Sequence, residues 1–472
     1  MMPFLFRQVD IASLSFFRFL FGLLAFIDVT STLTYKHWYK NWLDSEAFHY
    51  KYYGFSWARI PDDPWLTLFL LSLMLAAFCM AIGYRYRLAA TYFAFGFTYT
   101  FLMEKAFYLN HGYFLCVLSF LMIFVPAHRN FSLDIFRRPE LYRERIPYWP
   151  LFLLQFSMGV VYFFGGIAKL NADWLRAQPL KIWLQSKSSH SIIGPLLEPE
   201  LTAYFMAYGG LLLDLFVTFF LLSKRTRSWA FGFVLFFHLT NVLIFEIGVF
   251  PWLSIALTSL FFAPDYPRKI YAGFQRRLPT LNWPLVAQRW EMRLAKNGTQ
   301  LYGQQALLHA PATQQRISWA IGIFCVINLL LPLRHHLFPG PVAWTEEGHR
   351  YSWRMMLRSK RGYGHFIIRN GTTGAEEKIK PREWLNDKQG YKLFTHPDMI
   401  LQFAHHLRDH YRAQGMQEVE VYAHIKARLN DHPYQVYVDS EVDLAAEEWP
   451  FFRSKNWIVP YQSPRERQGE DD

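Results

Sequence analysis

Lys169 stands at the end of an apolar run that starts at Trp149. Read as a helix, that run puts Gly159, Tyr162, Gly166 and Lys169 on one face, at steps of three, four and three. Two glycines allow a second helix to approach closely, and a phenol and an amine then point into the gap. A charged amine is expensive in hydrocarbon, so a lysine here is a candidate base held in its neutral form. The alternative is a lysine at a helix end whose amine snorkels to the membrane surface.

Other polar residues lie at comparable levels of apolar stretches. His111 opens one of them, and His238 and Asn241 lie three apart in another. The latter two can line a ligand cavity or hydrogen-bond between helices. Arg18 and Asp214 each sit some way in from the same end of their stretches, and they are expected to form a buried structural ion pair.

The elements that must position these residues are membrane helices. Of 472 residues, 52% are hydrophobic and 19% aromatic, which indicates a polytopic α-helical membrane bundle. Mean hydropathy is only +0.04, because the loops and the C-terminal stretch are polar. Nine membrane segments are expected, at 12–33, 65–83, 87–107, 111–127, 149–168, 202–222, 228–248, 250–263 and 317–334. The eighth is short enough to be re-entrant. The first runs on without a small-residue cleavage site, so no cleavable leader is expected.

The formal net charge of +12 fits loops that set orientation and meet lipid, so no nucleic acid partner is expected. Arg85 and Arg87, Arg137 and Arg138, Lys224 and Arg225, and Arg289 and Arg293 fall after segments two, four, six and eight. This asymmetry places the N-terminus in the cytoplasm and the C-terminal part outside it. Lys169, His111 and the end of the seventh segment then reach the extracytoplasmic side together. Cys79, Cys116 and Cys325 all fall in expected helices, so cysteine usage does not identify a compartment.

Residues 1–339 are therefore read as the transmembrane domain, 340–463 as a β-rich, sandwich-like soluble domain, and 464–472 as a disordered tail. Residues 352–356, 364–369, 418–426 and 435–439 carry strand-like patterns, and one amphipathic helix, at about 397–413, interrupts them. There is no phosphate loop, GxSxG elbow, HExxH or CxxC pair. The neighbouring histidines at 335–336 and 405–406 cannot both face one ion from a regular element, and no metal centre is expected.

Several stretches resemble the vitamin K-dependent γ-glutamyl carboxylase family. They are 15–22 (SFFRFLFG), 110–113 (NHGY), 161–174 (VYFFGGIAKLNADW), 209–215 (GGLLLDL) and 237–241 (FHLTN), then 351–356 (YSWRMM), 396–399 (HPDM) and 449–457 (WPFFRSKNW). The ordered set looks like a compact member of bacterial type. The resemblance implies an integral membrane enzyme that takes reduced vitamin K, O2 and CO2. It would convert Glu in a peptide or protein to γ-carboxyglutamate while forming the quinone epoxide. By motif position Lys169 corresponds to the family's base and His111 to the histidine that assists at the quinol. Tyr162, Gly166, His238 and Asn241 would line the cofactor cavity. Ala168 and Asn171 depart from the family stretch, where a second lysine and an acid stand. Quinol epoxidation without peptide carboxylation, or a non-catalytic scaffold of the same fold, are therefore alternatives. The implied location is a bacterial inner membrane, or the endoplasmic reticulum in a eukaryote.

Overall fold

The computed structural model describes residues 3–34, 44–188, 194–245, 247–277, 306–451 and 453–463. The expected tail at 464–472 and the basic stretch around Arg289 lie outside them. Among the described residues six helices are long and apolar enough to cross a membrane. Four of them are α1 (Ala12–Thr34), α2 (Trp65–Ile82), α5 (Trp149–Ala168) and α7 (Glu200–Leu222). The others are α8 (Arg227–Ile244) and a helix at Pro311–Leu337 whose last turns are 3-10.

The expected third, fourth and eighth segments are helical but fall short as spans. They form α3 (Tyr86–Met103), α4 (Asn110–Phe124) and α9 (Phe250–Ser259). Helix α3 carries Arg87 and several tyrosines and threonines, which lower its apolarity. Helix α9 has ten residues, hence about 15 Å of length, half of a hydrocarbon core about 30 Å thick.

Helix α5 is the most enclosed of these. Pro150 stands in its first turn, where no N–H partner is lost, and most of its side chains are buried. It packs against α7, and its glycines set how closely. A Cβ on Gly166 would lie 2.7 Å from the backbone nitrogen of Leu215, and one on Gly159 would lie 3.0 Å from Thr218 Cγ2.

The C-terminal part contains one antiparallel sheet in the order β4-β3-β5-β6, formed by β3 (Lys360–Asn370), β4 (Glu376–Ile379), β5 (Val419–Leu429) and β6 (Gln435–Val436). Strands β1 (Gln8–Asp10) and β2 (Arg145–Pro147) pair separately beside the membrane helices. The β-rich expectation holds, but the sandwich does not: the layer over the sheet is the amphipathic helix Pro397–Ala413. Its apolar face, with Ile400, Phe403 and Leu407, packs on Phe366, Val421 and Ile425. The two cores interlock. Tyr50 and Ala106 belong to the soluble core, and Trp353 is buried in the membrane core.

Candidate functional site

The chain turns sharply after Lys169. Asn171 Oδ1 accepts from the Trp174 N–H at 3.0 Å, and its Nδ2 donates to the Ala168 carbonyl at 3.0 Å. The lysine side chain folds back along α5. Its Nζ donates to Asp214 Oδ2 at 2.5 Å and to the Gly165 carbonyl at 3.3 Å, and lies 5.2 Å from the Trp174 ring centre. The residue is 6% exposed. A Cβ on Gly165 would stand 3.2 Å from the same carboxylate oxygen, so the glycine pair makes room for both the Asp214 side chain and the α7 backbone. The amine therefore has a buried acidic partner.

Arg18 and Asp214 do not meet. Helix α1 packs chiefly on α2 and α9, while α7 packs on α5. Arg18 instead donates from Nη2 to the Phe131 carbonyl, presented by a loop in which Phe131 has φ +48°. Equal depth in the sequence is no guide to which helices are neighbours.

Tyr162, on the face shared with Lys169, reaches a second polar cluster. Its hydroxyl lies 3.0 Å from His238 Nε2 and 3.2 Å from Thr258 Oγ1, and Thr258 donates to the Ser254 carbonyl at 2.7 Å. With the Thr258 proton so committed, Tyr162 donates to Thr258 and His238 donates from Nε2. His238 Nδ1 is then a bare acceptor, buried and without a partner among the described residues. Phe250 bridges to the next histidine, its ring centre 6.2 Å from His238 and 5.8 Å from His111. Residues 111, 162 and 238, far apart in sequence, are thus joined in one run of contacts. Asn241 lies one turn beyond His238, half-buried, and its side chain makes no hydrogen bond among the described residues.

Residues 352–356, expected as a strand, belong instead to a turn that begins at Tyr351. Tyr351, Trp353 and Met356 have φ of +62°, +56° and +49°. Such conformations are costly for bulky residues and are held here by their surroundings. The Tyr351 N–H donates to Tyr108 Oη at 2.6 Å, Asn110 Nδ2 donates to the Arg354 carbonyl at 3.3 Å, and Trp353 packs on Tyr113 and Phe114. The β-rich C-terminal part therefore plugs into the helical part next to His111. Hydrophobic alternation hid this. Only the bulky aromatics of YSWRMM hinted at burial.

Behind the plug lies a charged layer. Arg358 makes a two-pronged contact to Glu346, with one arm at 2.7 Å, and Lys360 stands 3.4 Å from the same carboxylate. Asp398 accepts from Arg350 at 2.7 Å and lies 2.6 Å from Lys105 Nζ, across the junction. Burial works against the Asp398 charge, yet Arg350 and Lys105 hold its carboxyl well below the usual range. Burial pushes the Lys360 amine down to about 7 despite Glu346. Glu346, His349 and His396 each bring one atom to within 4.8 Å of the others. The carboxylate is already matched by Arg358 and Lys360, which leaves little attraction for a cation.

Fold and site together define a polytopic membrane protein with a buried acid–base pair at the junction to a β-rich domain. Residues 6–266 match the HTTM domain, and residues 313–464 match the vitamin K-dependent gamma-carboxylase lumenal domain. The chain belongs to the vitamin K-dependent gamma-carboxylase family. No solved structure matches it.

Proposed function

We propose that this protein is a reduced vitamin K-dependent glutamyl carboxylase, with Lys169 as the base and His111 assisting at the quinol. The observation that carries the reading is the Lys169–Asp214 contact, buried on the same face of α5 as Tyr162 and its histidine. A bare His238 Nδ1 stands among Phe237, Phe250 and the half-buried His111, which supports the reading because a fused-ring quinol calls for polar atoms between aromatic rings. Asn241 would border the same space, while Gly166, packed on the α7 backbone, would set how closely the two helices approach. When bound, reduced vitamin K with O2 supplies a base stronger than any side chain, and CO2 is the group added to the glutamyl carbon.

The protein's own part is to start that chemistry and keep it dry. With the shared proton on Asp214, Lys169 Nζ is an amine able to take a hydroxyl proton. His238 Nδ1 accepts from the ligand, and His111 orients it. The packed faces of α5 and α7 exclude water that would quench a strong base. The soluble domain presents a glutamyl peptide from the extracytoplasmic side, and the N-terminus lies in the cytoplasm. Nine membrane segments and a division near residue 340 complete this reading.

The test uses purified protein, reduced vitamin K, labelled CO2 and a Glu-containing peptide, with quinone epoxide measured in parallel. Label in the peptide together with epoxide is the expected result. Lys169→Ala is expected to abolish both, and epoxide made at the normal rate by that variant removes the lysine from the mechanism. A second reading, quinol epoxidation alone, is favoured by Ala168 and Asn171, which replace charged residues of the family stretch. Epoxide without label would identify it.

A further inference from the structure

The two long strands of the soluble domain bury one face under the helix Pro397–Ala413 and leave the other open. Direct register pairs on the open face are Arg361 with Arg428, Tyr363 with Lys426, and His365 with His424. The two imidazoles stack at 5.2 Å, and Tyr363 meets Tyr434 at 5.0 Å, with the Arg428 guanidinium over the Tyr434 ring at 5.1 Å. Tyr363 is 53% exposed. Positive charges directly opposite or diagonal to one another destabilise a sheet, so their concentration here is not explained by folding.

The two ends of the face differ. At the far end Arg369 is matched by Glu376 and Glu420. At the near end Arg361, Lys426 and Arg428 have no acidic partner among the described residues. That end runs into the turn docked beside the site. Asn430 Nδ2 donates to Asp173 Oδ2 at 2.6 Å, and His432 Nε2 lies 3.3 Å from Asp173 Oδ1, just past Lys169 in the chain. A basic, aromatic strip thus leads to the loop that follows the lysine.

We propose that this open face of β3 and β5 is a docking surface for an acidic, glutamate-rich stretch of the polypeptide substrate. Guanidinium and ammonium groups meet carboxylates, and the tyrosine and imidazole faces cover the methylene stems between them. The identity of the partner rests on the carboxylase reading, but the charge complementarity does not. Docking at some distance from the lysine would hold one protein while successive glutamates reach the site, raising their local concentration.

The experiment measures anisotropy of a fluorescent twelve-residue Glu-rich peptide added to the full-length protein in neutral-lipid nanodiscs. A Gln-for-Glu peptide and anionic phosphatidylglycerol vesicles serve as competing probes. Lys426→Glu with Arg428→Glu is expected to weaken Glu-peptide binding about tenfold or more, because like charges then face each other. Wild-type binding should also weaken as salt rises. Both side chains lie on the open face, so the fold should persist, and quinone epoxide formation with a short Glu tripeptide should be unchanged. Unaltered Kd in the double variant, equal binding of the Gln peptide, or loss of vesicle binding in place of peptide binding would each overturn the proposal. Lys169→Ala should bind the peptide normally. Failure of that variant to lose epoxide formation would sink the catalytic reading alone, whereas an unchanged Kd on charge reversal would sink this one alone.

Discussion

At the scale of single residues, the decisive finding is which groups are partners. Asp214 takes Lys169 at 2.5 Å, and Arg18 takes a loop carbonyl. Removing one member of a buried pair strands the other, at a cost of about 3 kcal/mol or more. Lys169→Met and Asp214→Leu should each destabilise by that order, and the double variant should recover most of the loss. Arg18→Leu combined with Asp214→Leu should be additive, since no contact joins them. Thermal unfolding of the three single and two double variants in one detergent measures both couplings. A coupled Arg18–Asp214 cycle, or an additive Lys169–Asp214 cycle, would contradict the geometry. The sequence made each of these residues visible as costly in hydrocarbon. It could not assign partners, because that depends on which helices are neighbours, and helix order around a bundle leaves no mark on apolar periodicity.

At the scale of elements, the small residues of α5 decide how the site closes. Gly166 faces the α7 backbone, where a Cβ would sit 2.7 Å from Leu215 N and 2.8 Å from its Cα. Backbone cannot step aside as a flexible side chain can, so Gly166→Ala should force the two helices apart and pull Asp214 from Lys169. Gly209, on α7, meets nothing within 4 Å. There alanine should be tolerated or should stabilise by up to about 1 kcal/mol through helix propensity. Thermal unfolding and epoxide formation measured for both variants check this: Gly166→Ala should lose both stability and activity, and Gly209→Ala neither. Helix α5 was legible because length, apolarity and glycine spacing are local properties. The turn at 351–356 was not, because its conformation is imposed by Tyr108, Asn110 and the aromatic slot it enters, contacts more than two hundred residues away in sequence. The single covered sheet was half legible: alternation revealed the strands, and a lone amphipathic helix supplied the second layer in place of more strands.

At the scale of the whole molecule, the apolar helical part and the β-rich C-terminal part share a junction that should respond to acid. Lys105 from the helical part meets Asp398, and Gln389 from the C-terminal part donates to Glu104 at 2.8 Å. Beside these contacts His349 and His396 are buried against each other, with ring centres 5.4 Å apart. Burial, reinforced by Arg350 and Arg358 and opposed by Glu346, pushes His349 down to about 3. Burial, with Lys392 and the neighbouring cations, pushes His396 well below its ordinary value of 6.5. Both rings are therefore neutral in the folded protein at pH 5, while the same rings in an unfolded chain are protonated below about 6.5. The unfolded state binds more protons throughout that interval, so stability falls as pH falls from about 6.5 toward 3. Each ring contributes a slope approaching 1.4 kcal/mol per pH unit once pH is about one unit below 6.5. Glu347 is also raised by burial, so the slope belongs to the ring only as the difference between the parent protein and a histidine variant from pH 6 to 5. Chemical unfolding of the soluble part across that interval should show the slope in the parent protein. In His349→Gln it should be smaller by nearly one proton's worth, because the amide can keep a hydrogen bond without taking a charge. A slope that His349→Gln leaves unchanged would mean the ring is protonated in the folded state, and that the junction has room for a charge that its present neighbours, Arg350 and Arg358 among them, should repel.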